Sequence, residues 1–274
     1  MHSSNHIYLV VRNAFWLFLT LGIFQKTAAQ CLLENGSFEQ FSNCSPEYTH
    51  NQITNWDNCE SPNSPLGYFI SPDFFSTCFD GNAVPCLHQN CVPDNFSGTQ
   101  YPHSGRGYGG FGTFRIPFSD SFPTEYLQYR LNGKLDSGRC YHLRFYCANA
   151  KGKIKYASNN VGAFFSDTIV GLWLTTQNWR NVPLIRTKPD IRNQDLYAAN
   201  QDWFLVEGYY TARGTEKSIA FGNFDDKDSV VIRDIDQTIA FGNVTYLYID
   251  DVSLVACDEE IIGSEQLEVC AGDS

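Results

Sequence analysis

Apolar and polar residues alternate with a period of two along much of the chain. The clearest run is Tyr141 to Ala148, where Tyr141, Leu143, Phe145 and Cys147 fall on one face. That period belongs to an extended strand, whose side chains point to opposite faces in turn. Similar runs are Glu125 to Leu131, ahead of the turn pair Asn132-Gly133, then Val161 to Phe165, Trp203 to Tyr210, Ser218 to Phe224 and Tyr246 to Ala256. No capped segment shows the 3.6-residue period of an amphipathic helix. Residues 61–107 lack either period and are rich in Pro, Gly, Asn and Ser, with Cys78, Cys86 and Cys91 among them. They predict long loops pinned by disulfides. Repeated short strands between turn signals predict an all-β fold, a β-sandwich or a barrel.

The two ends of the chain differ from this pattern. Arg12 precedes an apolar run, Ala14 to Phe24, and Thr27-Ala28-Ala29 supplies small residues for cleavage, so residues 1–29 read as a secretory signal peptide. The run is too short to cross about 30 Å of hydrocarbon as a helix, and no later stretch is long enough, so no membrane span is expected in the mature chain. Residues 258–274 are acidic with a weak strand pattern, and read as a linker or the opening of a further module. All ten cysteines follow residue 30, and an even number in an exported chain predicts disulfides. Cys140 and Cys147 are excluded as partners. Seven strand steps separate them by over ~20 Å, and a disulfide needs Cα atoms within ~7 Å.

Charge narrows the partners. The chain of 274 residues carries a formal charge of −11, and loss of residues 1–29, with Arg12 and Lys26 and no acid, takes it to −13. Such a surface repels phosphate backbones and polyanionic glycans, so nucleic acid is excluded while neutral glycans and cations remain. No Gly-x-Ser-x-Gly, His-Glu-x-x-His or phosphate-loop motif is present. The acid run Asp225, Asp226, Asp228, Asp234, Asp236 lacks the Gly and distal Glu of an EF-hand loop and reads as solvated.

Asp250 breaks the rule of its strand. By alternation Tyr248, Asp250, Val252 and Leu254 share the apolar face, while Asp251 lies opposite with Ser253 and is solvated. A buried carboxylate needs a cation or several hydrogen-bond donors. Near the start, Asn35-Gly36-Ser37-Phe38-Glu39 places a carboxylate just after a turn that presents carbonyls. Calcium takes six to eight oxygens of mixed kind.

These pieces together resemble a known family. Asn35-Gly36-Ser37-Phe38-Glu39, Trp56, His103-Ser104-Gly105 and Tyr248-Ile249-Asp250-Asp251-Val252-Ser253-Leu254 stand in the order found in carbohydrate-binding-module-type jelly rolls, the galactose-binding-like β-sandwiches. Val161-Gly162-Ala163-Phe164-Phe165-Ser166 and Ile219-Ala220-Phe221-Gly222-Asn223-Phe224 resemble those of exported Bacteroidetes surface proteins in particular. The resemblance covers about residues 31–256, within a domain taken as 30–257. It implies a jelly roll with a structural calcium ion held by the Glu39 and Asp250 carboxylates and the carbonyls of Ser37 and Gly107, with Ser104 a weaker ligand. The metal-free alternative is that Glu39 caps a turn and Asp250 accepts backbone hydrogen bonds.

The family's sugar sites vary in place, so the sugar expectation rests on exposed aromatics that stack on apolar sugar faces. Trp173 and Trp179, flanking Thr175-Thr176-Gln177-Asn178, come first, then Tyr101 and Tyr108; Trp56 and Trp203 are expected in the core. The expected function is non-catalytic binding of a neutral polysaccharide or glycan by a secreted or cell-surface protein, on the outer-membrane exterior. The alternative is a structural or protein-adhesion module with a cell-surface protein partner and no sugar site. A glycoside hydrolase or lyase ranks last.

Overall fold

A computed structural model describes residues 32–41, 53–59, 72–77, 90–115, 124–171, 185, 187–193, 203–226, 229–239 and 244–260. Nearly all regular structure in them is strand: β1 (Trp56–Asn58), β2 (Asp73–Ser76), β3 (Gly107–Arg115), β4 (Tyr126–Arg130), β5 (Cys140–Asn149), β6 (Tyr156–Ser158), β7 (Val161–Ser166), β8 (Ile191–Arg192), β9 (Phe204–Thr211), β10 (Ser218–Asn223), β11 (Ile232–Asp234) and β12 (Val244–Ala256). A single helical turn, α1 (Cys257–Glu260), follows β12. The strands form two sheets, one ordered β1-β4-β10-β7-β8, the other β11-β6-β12-β3-β2 with β5 added beside β12 and β9 beside β5. Pairing is antiparallel apart from one parallel bridge, Thr245 to Tyr156. This is a β-sandwich of the jelly-roll kind, and each of the six alternating runs in the sequence is a strand of it.

The inner faces meet in one core. Leu127, Tyr129, Phe165, Ile219 and Phe221 from the five-stranded sheet pack on Leu143, Phe145, Val206, Tyr210, Leu247 and Ile249 from the seven-stranded one. Phe165 stacks on Tyr210 at 3.8 Å between ring centroids, and Phe145 meets Phe221 edge-on at 5.2 Å. Each such ring withdrawn from water contributes about 1.5–3 kcal/mol. Trp56 lies in this core as expected, its indole N–H donating to the Asn35 carbonyl at 2.8 Å.

The alternation of β12 does not run through. Asp250 pairs with Tyr146 but Ser253 with Arg144, so three steps on β12 match two on β5, a β-bulge. Asp251 takes φ 48° there. The extra residue reverses which side chains face the core: Leu247 and Ile249 before it, Val252, Leu254 and Ala256 after it. Tyr248 therefore belongs to a second cluster on the outer side of the sheet, with Phe75, Tyr108 and Tyr246. Asp250 does not share a face with Val252 and Leu254 as strict alternation requires.

The outer faces are covered unequally. Residues 90–106 lie over β2, β3 and β12, where Asn95 donates to the Tyr108 hydroxyl and accepts from the Tyr248 hydroxyl. Across the molecule Gln128, fully buried on the five-stranded sheet, binds the Val170 N–H at 2.7 Å and the Val170 carbonyl at 3.2 Å. Ile185 is buried on that same face with Cys59, Tyr126, Ala220 and Phe224. Among the described residues the outer face of β5 and β9 is open at Tyr209 and Glu207, while His103 lies on Tyr146.

Cys140 is bonded to Cys257, not to Cys147. Cys91 is disulfide-bonded too. Cys59 and Cys147 are free thiols in apolar clusters, and burial raises the pKa of each.

Candidate functional site

Two places gather the expected residues. The first is the turn of residues 103–107, which both expected carboxylates hold. Glu39 Oε1 accepts the backbone N–H groups of Arg106 at 2.6 Å and Gly107 at 2.8 Å. Asp250 Oδ2 accepts those of His103 at 2.9 Å and Ser104 at 3.3 Å, and Asp250 Oδ1 that of Asp251 at 2.7 Å. Asp250 is fully buried. Burial first, then the Asp251 charge, raises its pKa well above the usual range, while the three N–H donors pull the other way. Asp251 is not the solvated residue expected. Its carboxylate is bound by His103 Nδ1 and, at 2.6 Å, by the Ser104 hydroxyl.

The calcium expectation can be tested on these groups. The donors are all oxygen, hard and anionic, which fits calcium in kind. Ser37 is buried beside them in sequence, and its hydroxyl has no partner among the described residues. No group of three His, Cys, Asp or Glu side chains close enough to hold a metal occurs among the described residues. A cation here would need the carbonyls of Ser37 and Gly107 to complete its shell.

The second place is the open face of β5 and β9. Their register puts His142 beside Tyr209, Arg144 beside Glu207 and Tyr146 beside Leu205. Tyr209 is 67% exposed, and its ring stacks on His142 at 4.5 Å and 23°. Glu207 Oε2 lies 3.2 Å from both His142 Nε2 and Arg144 Nε, in neither case with hydrogen-bond geometry. Further along, His103 stacks on Tyr146 at 3.7 Å and 17°, with Trp203 edge-on to it at 5.9 Å. The Trp203 indole N–H donates to the Tyr101 carbonyl at 3.1 Å, so Tyr101, 68% exposed, stands at this end of the face.

Of the aromatics expected to meet a sugar, Tyr101 is therefore at the open face. Tyr108 is not: it is fully buried, and its hydroxyl donates to the Gln100 carbonyl at 2.9 Å, so neither ring face is available. Trp173 and Trp179 lie outside the described residues. Trp203, expected in the core, is half-buried at the edge of the face. His142, Arg144, Glu207 and Tyr209 were not singled out from the sequence. Their signal was the second face of the best alternating run, polar and aromatic where the first is apolar. The acid run, expected to be solvated, is partly paired: Asp225, its side chain 12% exposed, binds Arg192 and Asn160, Asp234 pairs with Lys155, Asp236 caps the turn at Thr238, and Asp228 lies outside the described residues.

No protein-family model matches the chain, and no curated protein matches it. Among solved structures it is similar to the CBM22-1 xylan-binding domain of Paenibacillus barcinonensis Xyn10C, with a TM-score of 0.40 and 11% identity over 84% of this chain and 96% of that one. It is also similar to the K1 cleaved adhesin domain of Lys-gingipain from Porphyromonas gingivalis, at 0.36 and 13% over 74% and 91%. A third is TmCBM61, solved with β-1,4-galactotriose, at 0.36 and 11% over 83% and 99%. Two of these are carbohydrate-binding modules and one is an adhesin domain. At this level of likeness, what the chain binds has to be read from its own residues.

Proposed function

We propose that this chain is an exported, non-catalytic carbohydrate-binding module that attaches a cell-surface system to a neutral glycan through the open face of β5 and β9. The observation that carries the reading is Tyr209. One face of its ring is held by His142 and the other is open to solvent, on a strand rather than a loop, with a carboxylate and a guanidinium on the next rung. Stacking on an aromatic ring with adjacent polar groups for the hydroxyls is how sugars are bound. The bonded Cys91 and the Cys140–Cys257 disulfide support export to an oxidising compartment. Retention of the full secreted chain on immobilised neutral polysaccharides, lost with Tyr209→Ala at an unchanged melting midpoint, is the expected result. Failure to bind any glycan transfers the face to a protein partner and the adhesion reading.

The same proposal includes calcium at the 103–107 turn, held by Glu39, Asp250 and the carbonyls of Ser37 and Gly107. What supports it is the two carboxylates of Glu39 and Asp250 fixed on one turn, and the buried Ser37 hydroxyl, which has no partner among the described residues. Bound calcium would offset the charge of these acids and tie the first segment to the last strand. The melting midpoint should rise with calcium over a chelated sample. An unchanged midpoint up to millimolar calcium removes the metal from the proposal.

A further inference from the structure

We propose that β9 pairs edge to edge with the β9 of a second copy of this chain, about a two-fold axis at Gly208, so that the seven-stranded sheet continues through a dimer. This goes beyond the glycan reading and does not depend on it.

The hydrogen-bond phase of the sheet fixes which backbone groups of β9 face away from β5. In an antiparallel pair, successive residues turn their N–H and C=O groups to opposite sides. Past the end of β9, Ala212 turns towards the β5 side: its N–H donates to the Arg139 carbonyl at 3.0 Å and its carbonyl accepts the Gly138 N–H at 2.8 Å. On the far side of β5, the Ala150 N–H donates to the Tyr246 carbonyl of β12 at 3.1 Å. Even-numbered residues of β5 therefore turn to β12 and odd-numbered ones to β9, where Tyr141 pairs with Tyr210, Leu143 with Gly208 and Phe145 with Val206. Both observations leave the backbone groups of Leu205, Glu207, Tyr209 and Thr211 pointing off the sheet. β9 pairs with β5 alone, and these groups have no hydrogen-bond partner among the described residues.

The other sheet edges are short or closed. β1 and β11 have three residues each and β8 has two. β2 is closed by Asn90, whose carbonyl accepts the Ser76 N–H at 3.3 Å and whose Nδ2 donates to the Phe74 carbonyl at 3.1 Å. β9 has eight residues and neither the Pro nor the Lys that blunts a bare edge.

A second copy suits this edge because its outward residues are self-complementary about Gly208. An antiparallel pair centred there sets Leu205 opposite the partner's Thr211 and Glu207 opposite the partner's Tyr209, and each pair exchanges both of its backbone bonds. Each carboxylate then meets a tyrosine rather than the other carboxylate. Gly208 meets its own copy on the axis, at a position where Cα atoms approach to about 4.5 Å, and neither carries a side chain. Centring on Glu207 would oppose two carboxylates, which is unfavourable. Centring on Tyr209 would leave Leu205 opposite no residue of β9. Two chains of net charge −11 repel at long range, so association should tighten as salt screens them.

The test is sedimentation velocity of the full chain from low micromolar to several hundred micromolar, at low and at physiological salt. A monomer–dimer equilibrium that tightens with salt is expected. Thr211→Pro removes an N–H that points away from β5, so it leaves the chain's own ladder whole. It should weaken the dimer about tenfold or more, since the two-fold axis makes it two bonds lost. The register is read from Leu205→Cys combined with Thr211→Cys. Six strand steps hold these positions about 20 Å apart within one chain, beyond the ~7 Å that a disulfide spans. Mild oxidation should therefore trap a covalent dimer, and Leu205→Cys alone should not. A monomer at every concentration overturns the proposal. So does a dimer that the cysteine pair does not trap, or that a folded Thr211→Pro leaves unchanged, because it then forms through another surface. If Thr211→Pro does not fold, the cysteine pair decides: a covalent dimer sustains the proposal and its absence overturns it.

Discussion

At Asp250 a carboxylate lies wholly inside the body beside a second acid, and three backbone N–H groups converge on it. Removing the carboxylate would leave those donors buried without a partner, at about 1–3 kcal/mol for such a group. Asp250→Ala should therefore destabilise by about 2–4 kcal/mol in urea unfolding. Asp73 makes a different prediction. It accepts the Tyr246 hydroxyl at 2.6 Å. Burial raises its carboxyl from the ordinary 3.8 to about 7, with the Tyr246 bond acting the other way. Between those values the folded chain keeps a proton that the unfolded chain has lost, so this contribution is complete below the lower value and is lost as pH rises through the upper. The melting midpoint should fall over that interval, and Asp73→Asn should flatten the fall. That Asp250 is special was legible in the sequence, because a charge on an apolar face stands out. Its three partners were not, since they come from its neighbour and from a turn nearly 150 residues earlier.

At the scale of the element, β12 shows what alternation can and cannot give. The run Tyr246 to Ala256 predicts the strand, and the strand is there. The bulge at Asp250 and Asp251 inverts its two halves, and nothing in the apolar pattern marks where a residue is skipped. Deleting Asp251 should leave a plain alternating strand in which Asp250 points outward and Val252, Leu254 and Ala256 still face the core, so the variant should keep cooperative unfolding, with a melting midpoint lowered by loss of the Asp251 contacts to His103 and Ser104. The first segment docks on the same strand, with the Leu32 N–H bound to the Leu254 carbonyl at 3.1 Å and the Val252 N–H to the Gly36 carbonyl at 2.9 Å. A methyl group at Gly36 would stand 1.9 Å from the Val252 carbonyl oxygen. Gly36→Ala must therefore push the segment off the strand. It should lower the melting midpoint and expose the Leu254 amide region to hydrogen exchange.

At the scale of the molecule, the Cys140–Cys257 bond ties the end of the last strand to the start of β5 across 117 residues of sequence. In the chain-entropy picture a loop of that size is worth about 4–5 kcal/mol, less whatever order the open chain retains. Cys140→Ser with Cys257→Ser should lower stability by about 3–5 kcal/mol, read from denaturant midpoints. The double variant isolates this bond, whereas a reductant would open the Cys91 disulfide as well.

The sequence by itself determined that the chain folds as an all-β structure, a sandwich or a barrel. Period-two alternation is a local property, and a strand with one apolar face must bury it against another sheet. It also determined the acidic charge and the unpairable Cys140 and Cys147, because each follows from residue type and spacing along a short stretch. Only the tertiary structure decided which outer face is open. His142, Arg144, Glu207 and Tyr209 read as ordinary outward positions until, among the described residues, 90–106 cover β2, β3 and β12, reach β5 at Tyr146 through His103, and leave Tyr209 and Glu207 exposed. The same covering took Tyr108 out of reach and left Tyr101 at the surface, although both were expected to meet a sugar. Exposure is a property of what packs on top of a strand, and that comes from residues distant in sequence, which no local pattern records.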